Sequence, residues 1–268
     1  MTELSTAPAV LVERRGNVMI VTLNRPEARN AINEAVWLGA GEAMAEAERD
    51  VEVRAVIVTG AGDQSFCAGA DLKALSRGER IAPADPEKVA WGFAGIVAHP
   101  ISKPLIAAVN GTALGGGTEI ALACDLVVAA DTASFGLPEV KRGILAGAGG
   151  AFRLVQQLPR KIAMEMLLTG DPIDAARALD LGLINAVAPR ATLLDAALEL
   201  AERVAVNAPL SVQASKRIAL GMVDGKVASD ETAWAQTRKE SGALMRSEDA
   251  REGPRAFAEK RAPVWKGR

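Results

Sequence analysis

The chain has 268 residues and a mass of 27.9 kDa, and its 49% hydrophobic and 24% charged residues are the balance of an ordinary globular protein with a substantial core. A net charge of −2 gives no broad attraction for nucleic acid or an anionic membrane, so an anionic ligand has to be met by locally placed bases. With one histidine, two cysteines and no tyrosine, several chemistries lack their parts: His99 would be the sole triad base, no G-x-S-x-G elbow exists, and Cys67 and Cys124 form no recognisable zinc site.

The opening, MTELSTAPAV, has neither a basic start nor an apolar signal-type stretch, and no uncharged apolar run of membrane-spanning length follows, which predicts a cytoplasmic protein. Strands are predicted near 9–14, 17–23, 54–59, 104–109 and 125–130, alternating with helices near 32–49, 116–123 and 148–157. That is an α/β order. From Lys161 the pattern becomes mainly helical, with amphipathic runs near 161–169, 173–181, 192–206, 210–222 and 228–246, punctuated by Gly170, Gly182 and Pro209.

Two strand–turn–helix units carry the chemistry. RAVIVTG (54–60) reads as a buried strand, and SFCAGADL (65–72) as a small-residue turn entering an acidic helix start. In the second unit a strand at Pro104–Val109 runs into Gly111, Gly115, Gly116 and Gly117, where a helix begins. Consecutive glycines let backbone approach a ligand, and the first amides of a helix have no intrahelical partner, so an N–H near Gly116 is a candidate oxyanion donor. Glu119 falls in that helix's first turn, where a solvated N-terminal carboxylate is an equally good reading. In FGLPE, Pro138 puts Glu139 on a loop. Two such carboxyls can serve one water, although spacing alone does not bring them together.

The remaining features have plainer readings. His99, in IVAHPISKP, is a helix-end or loop histidine, and Cys67 and Cys124 are small packed residues that suit a reducing compartment. GILAGAGGAF (143–152) lacks both G-x-G-x-x-G and P-loop spacing and reads as a helix N-terminus after a loop. The segment 73–95 is a solvated loop.

Taken together, NRPEARNAIN (24–33), SFCAGADLK (65–73), IAAVNGTALGGGTEIALACD (106–125) and FGLPE (135–139) resemble the crotonase superfamily, the enoyl-CoA hydratase/isomerase family, over nearly the whole chain. The resemblance implies an α/β spiral of ββα turns (1–200) holding an acyl-CoA site. A helical region (201–268) would then build trimers, often paired into hexamers, and cover the coenzyme. Ala70 and Gly116 match the two oxyanion amides, and Glu119 and Glu139 the two hydratase glutamates. The implied reaction is addition of water across the 2,3 double bond of a trans-2-enoyl-CoA, with no metal and no cofactor beyond the coenzyme A of the substrate. Implied contacts to substrate and coenzyme are Ala28, Arg29, Ala31, Ala68, Asp71, Leu72 and Gly115.

The ending SEDAREGPRAFAEKRAPVWKGR reads as a solvated helix and tail, but the family brings its last helix near the coenzyme, which makes Phe257 and Lys260 candidates for adenine or phosphate contacts. This ending also resembles that of carnitinyl-CoA dehydratases, so crotonobetainyl-CoA is an alternative substrate; its quaternary ammonium would want an aromatic face or a carboxylate, and with aromatics at 3% the segment after the first turn offers only Trp91 and Phe93. The resemblance is also compatible with an enoyl-CoA isomerase or a non-catalytic acyl-CoA binder. Ala146 stands where many hydratases have proline, on the acyl side of the pocket.

Overall fold

The computed structural model describes residues 7–223 and 225–268, so the first six residues of the leader reading lie outside the described residues. In chain order the elements are β1 (Val10–Arg15), β2 (Val18–Leu23), α1 (Glu34–Arg49), β3 (Ala55–Gly60), β4 (Ser65–Cys67), α2 (Leu72–Ser76), α3 (Pro86–Val89), β5 (Leu105–Val109), β6 (Thr112–Leu114), α4 (Gly116–Ala123), β7 (Leu126–Ala130) and β8 (Ser134–Gly136). There follow α5 (Gly150–Gln157), α6 (Arg160–Thr169), β9 (Ile173–Asp174), α7 (Ala175–Asp180), β10 (Ala186–Ala188), α8 (Leu193–Ala205), α9 (Pro209–Leu220), β11 (Met222–Val223), β12 (Lys226–Val227), α10 (Glu231–Leu244) and α11 (Glu248–Ala258).

The long apolar strands β2, β3, β5 and β7 lie parallel in a six-stranded sheet of order β1-β2-β3-β5-β7-β10, with β1 antiparallel at one edge. Strands buried on both faces read as continuous Val/Ile/Ala runs, which is why the sequence showed them plainly. A second, four-stranded sheet has the order β4-β6-β8-β9. Each of β3, β5 and β7 hands the chain to a short strand of this second sheet, giving three ββ steps whose short strands pair in parallel, β6 with β8 in even register (Thr112↔Ser134, Ala113↔Phe135) and β4 with β6 across a register shift between Ser65 and Cys67. The chain thus winds as a spiral.

The sequence reading missed this second sheet. Its strands β4, β6 and β8 are three residues long and β9 two, too short for a period of two to emerge. Ile173–Asp174 pair with β8, and the Asp174 carboxylate then caps α7 by accepting the Arg177 N–H at 2.7 Å, so the helix starts later than its apolar pattern suggests. The 200/201 boundary falls inside α8, whose buried stripe Leu193, Ala197, Ala201 and Ala205 has the i, i+4 spacing of one helix face. Among the described residues no helix is long and apolar enough to cross a membrane.

Ile57, fully buried in central β3, is a measure of this core. Ile57→Ala is expected to lower unfolding free energy by about 2–5 kcal/mol through lost burial and a residual cavity, read as a shifted denaturation midpoint at unchanged slope.

Candidate active site

The two turns read from the sequence meet in space. Gly69, which follows β4, has φ +88°, and a Cβ there would sit 3.2 Å from both the Gly116 nitrogen and the Leu114 oxygen. Only glycine fits so close an approach. The chain then bridges to Ile32: the Ile32 N–H donates to the Gly69 carbonyl at 2.8 Å and the Asp71 N–H to the Ile32 carbonyl at 2.9 Å. Ala70 lies between these two bonds. Across the gap, Gly115 (φ +56°) precedes α4 and donates to the Gly136 carbonyl at 2.9 Å, which leaves Gly116 as the first helical residue, without an intrahelical acceptor for its N–H.

Gly116 itself needs no left-handed backbone; its side-chain position is filled by Phe93, whose Cε1 lies 2.3 Å from where a Cβ would be. Phe93 is presented there by an unusual turn in which Gly92, Ala94 and Gly95 have φ of 73°, 60° and 70°, and its ring meets Trp37 edge-on at 5.9 Å. A buried alanine in the left-handed region costs about 1–3 kcal/mol, a strain that recurs at ligand sites.

Both glutamates are buried. Glu119, 3% exposed, accepts hydrogen bonds at Oε1 from the Ala148 N–H at 2.7 Å and the Gly150 N–H at 2.9 Å, which removes the reading of it as a solvated helix-start carboxylate. Glu139 follows Pro138 into a 3-10 turn; a Cβ on Gly115 would sit 3.0 Å from its Oε1, and its Oε2 is buried without a partner. Burial, then the neighbouring Glu139 charge, pushes Glu119 up to about 8 against the pull of its two amides. Burial pushes Glu139 up to about 7. Near neutrality such a pair holds about one proton between its members.

A continuous cleft of about 2380 Å³ runs past these groups, ample for a long ligand. It is lined by Ala28, Arg29, Ala31, Ala68, Ala70, Asp71, Leu72, Gly115, Gly116, Glu119, Glu139 and Phe257. Lys260 is not among the lining residues; it sits exposed at φ +53° just past α11. Asp71 is committed within the protein, accepting the Ala74 N–H at 2.9 Å as the cap of α2 and pairing with Arg25 at 2.9 Å. Trp91 is likewise turned from the cleft, its ring over Gly41 and beside His99, whereas Phe93 lines the wall. His99 is a loop residue whose ring lies beside Trp91, and burial lowers its pKa to about 4 against the opposing pull of the Gly41 backbone, leaving it neutral. Cys67 and Cys124 are buried free thiols that burial pushes up to about 12, which deprives both of nucleophilic thiolate.

Sequence reasoning missed three contributors. The amides of Ala148 and Gly150 hold Glu119 from a loop nearly thirty positions away, and only the glycines of GAGG hinted at close backbone approach. Arg142 stacks its guanidinium on Phe257 at 4.1 Å in the cleft wall, joining the end of the Glu139 turn to α11. Trp234, from α10, also lines the cleft.

A ββα spiral whose cleft gathers two buried carboxyls beside two glycine turns is the crotonase class of fold. The sequence model of the enoyl-CoA hydratase/isomerase family matches residues 13–268, and the chain belongs to that family. It is 46% identical over 262 residues to a carnitinyl-CoA dehydratase of Citrobacter koseri, covering 95% of this chain and 97% of that one. Among solved structures, the carnitinyl-CoA hydratase of Mycobacterium avium superposes with a TM-score of 0.96 at 63% identity, covering 98% of this chain and all (100%) of that one. The enoyl-CoA hydratase of Mycobacterium tuberculosis does so at 0.75 and 46% identity, again covering 98% and 100%.

Proposed function

We propose that the protein is a hydro-lyase that reversibly adds water across the 2,3 double bond of a trans-2-enoyl-CoA thioester. The observation that carries this reading is the pair of buried carboxyls, Glu119 and Glu139, lining one cleft with the two glycine turns. The thioester carbonyl takes the Ala70 and Gly116 amides as donors, which stabilise the negative charge that develops as water attacks C3. The ionised member of the pair accepts the water's proton while the protonated member delivers one to C2, so protons balance and the pair is reset for the reverse reaction. No metal and no cofactor beyond the coenzyme A of the substrate is invoked. Arg29, Arg142 and Phe257, along the cleft, are proposed to meet the coenzyme's phosphates and adenine.

The pH dependence follows from the raised pair. Below about 7 both carboxyls hold protons and no base remains; above about 8 both are ionised and no acid remains. A bell-shaped kcat/KM profile with limbs near those values is expected. A profile flat from pH 5 to about 9 would contradict the two-carboxyl assignment.

Crotonobetainyl-CoA is the second reading, favoured by the likeness to the carnitinyl-CoA enzymes of Citrobacter koseri and Mycobacterium avium. The chemistry is unchanged, and the rings of Phe93 and Trp234 offer aromatic faces in the cleft for a quaternary ammonium. Comparing kcat/KM for crotonobetainyl-CoA, crotonyl-CoA and longer 2-enoyl-CoAs decides between acyl groups. We also propose a cytoplasmic homotrimer, or a hexamer made of two trimers. Val206, Leu210 and Ile218, at least 75% exposed on and beside α9, supply the apolar surface that such assembly would cover.

A further inference from the structure

Arg153 lies in α5 one turn beyond the loop that holds Glu119, and its environment is unusual for a cation. Its side chain is only 12% exposed, set beside the rings of Phe152 and Trp234 at 5.4 Å each, and these two rings meet edge-on at 5.0 Å. Its nearest carboxylate contact is Asp230, 3.6 Å away and 8% exposed, an ion pair longer than a good hydrogen bond. Nη1 is buried with no acceptor. That nitrogen occupies the space a Gly149 side chain would take: a Cβ there would lie 2.8 Å from it and 3.2 Å from the Trp234 ring.

Gly149 sits between the two residues, Ala148 and Gly150, whose amides hold Oε1 of Glu119, and its φ of +104° turns the loop so that both can point there. A guanidinium packed on Gly149 therefore fixes the segment that orients the carboxyl. A buried cation with an incomplete partner also projects its field onto other titratable groups. Those facing it are Asp230 at the start of α10, Glu119 on α4 with Glu139 beside it, and Cys124 at the end of α4.

We propose that Arg153 is a positioning residue for Glu119: held by Asp230 and Trp234, it fixes the 148–150 segment and supplies a positive field at the carboxyl, so that α10 takes part in the chemistry. This rests on the two-glutamate reading of the site. It assigns the helical C-terminal region a role beyond covering the coenzyme, because Asp230 and Trp234 both come from it.

The test follows the Glu119 carboxyl carbon by NMR in glutamate-labelled protein, which requires no turnover. Arg153→Met removes a positive charge and should raise the Glu119 midpoint by about 1, whereas Asp230→Asn removes a negative charge and should lower it. A purely structural clamp would not move the two variants in opposite directions. In the hydration assay Arg153→Met should lose at least about tenfold in kcat with KM within about twofold, the basic limb of its bell moving to higher pH, and Arg153→Lys should recover the pH profile but not all of kcat. Unmoved midpoints, or midpoints that move the same way, would overturn the proposal. Should Arg153→Met fail to fold, Arg153→Gln, which removes the same charge but keeps a polar end, takes its place in the comparison. Opposite movements in an enzyme that binds but does not hydrate enoyl-CoAs would sink the hydratase reading and leave the Arg153 assignment standing.

Discussion

Glu119→Gln and Glu139→Gln are each expected to lose about 10²–10⁴ of kcat for water addition, with enoyl-CoA binding retained. The substitutions are gentle to the fold. A glutamine at 119 keeps a carbonyl oxygen for the Ala148 and Gly150 amides, and one at 139 replaces a carboxyl whose Oε2 has no partner to lose. What disappears is the ability to pass a proton. Since the two groups act as a unit, the double variant should be scarcely worse than either single one.

The same burial makes a prediction about stability that separates lost chemistry from lost structure. Glu139 has its folded pKa raised from 4.5 to about 7, so the folded state binds the proton more tightly than the unfolded chain. The unfavourable burial of its charge is absent below about 4.5 and grows as pH rises to about 7. Glu139→Gln should therefore unfold at a higher temperature than wild type at pH 8 and show little gain at pH 4, which thermal scans at both values would read. An active-site carboxyl that weakens the fold at working pH is a familiar exchange of stability for function.

The second large effect is expected at Gly116. Its backbone angle would accept alanine, but the new methyl carbon would fall 2.3 Å and 2.6 Å from two Phe93 ring atoms. Either the ring or the start of α4 has to move, and with α4 goes the amide offered to the thioester oxygen. Loss of such a donor costs about 3 kcal/mol of barrier, or roughly 10²-fold in kcat. Because the obstacle is a side chain, Phe93→Ala combined with Gly116→Ala should recover much of the loss. At Gly117 the obstacle is backbone, the Cys67 carbonyl oxygen 2.0 Å from a Cβ, so no neighbouring truncation would rescue Gly117→Ala. Rescue at 116 and its absence at 117, read by kcat alongside thermal unfolding, would trace both effects to these contacts.

Much of this site was legible because it is built from local signals. The glycine cluster ends a strand and opens α4 at Gly116, and Glu119 follows in the first turn with no long-range information needed. The Pro138–Glu139 step is similarly local. What the sequence hid is what depends on distant chain: the amides at 148 and 150 that remove Glu119 from solvent, the ring of Phe93 that fills the place of a Gly116 side chain, and the Arg142–Phe257 stack. Lys260 and Trp91 had the right chemistry for ligand contact, but one falls beyond the end of α11 and the other packs on Gly41, placements that no pattern along the chain records. The short strands of the second sheet were hidden for another reason, since two or three residues carry too little periodicity to separate strand from turn.

The central claim is that the carboxyl pair moves water onto an enoyl thioester, and the most direct measurement is to incubate wild type, Glu119→Gln and Glu139→Gln with crotonyl-CoA and crotonobetainyl-CoA in isotopically labelled water and weigh the products. The account predicts a hydrated thioester carrying the label on C3 for at least one substrate with wild type, and almost none with either variant. Tight binding of both thioesters by wild type with no labelled product, or equal labelling by the variants, would contradict it.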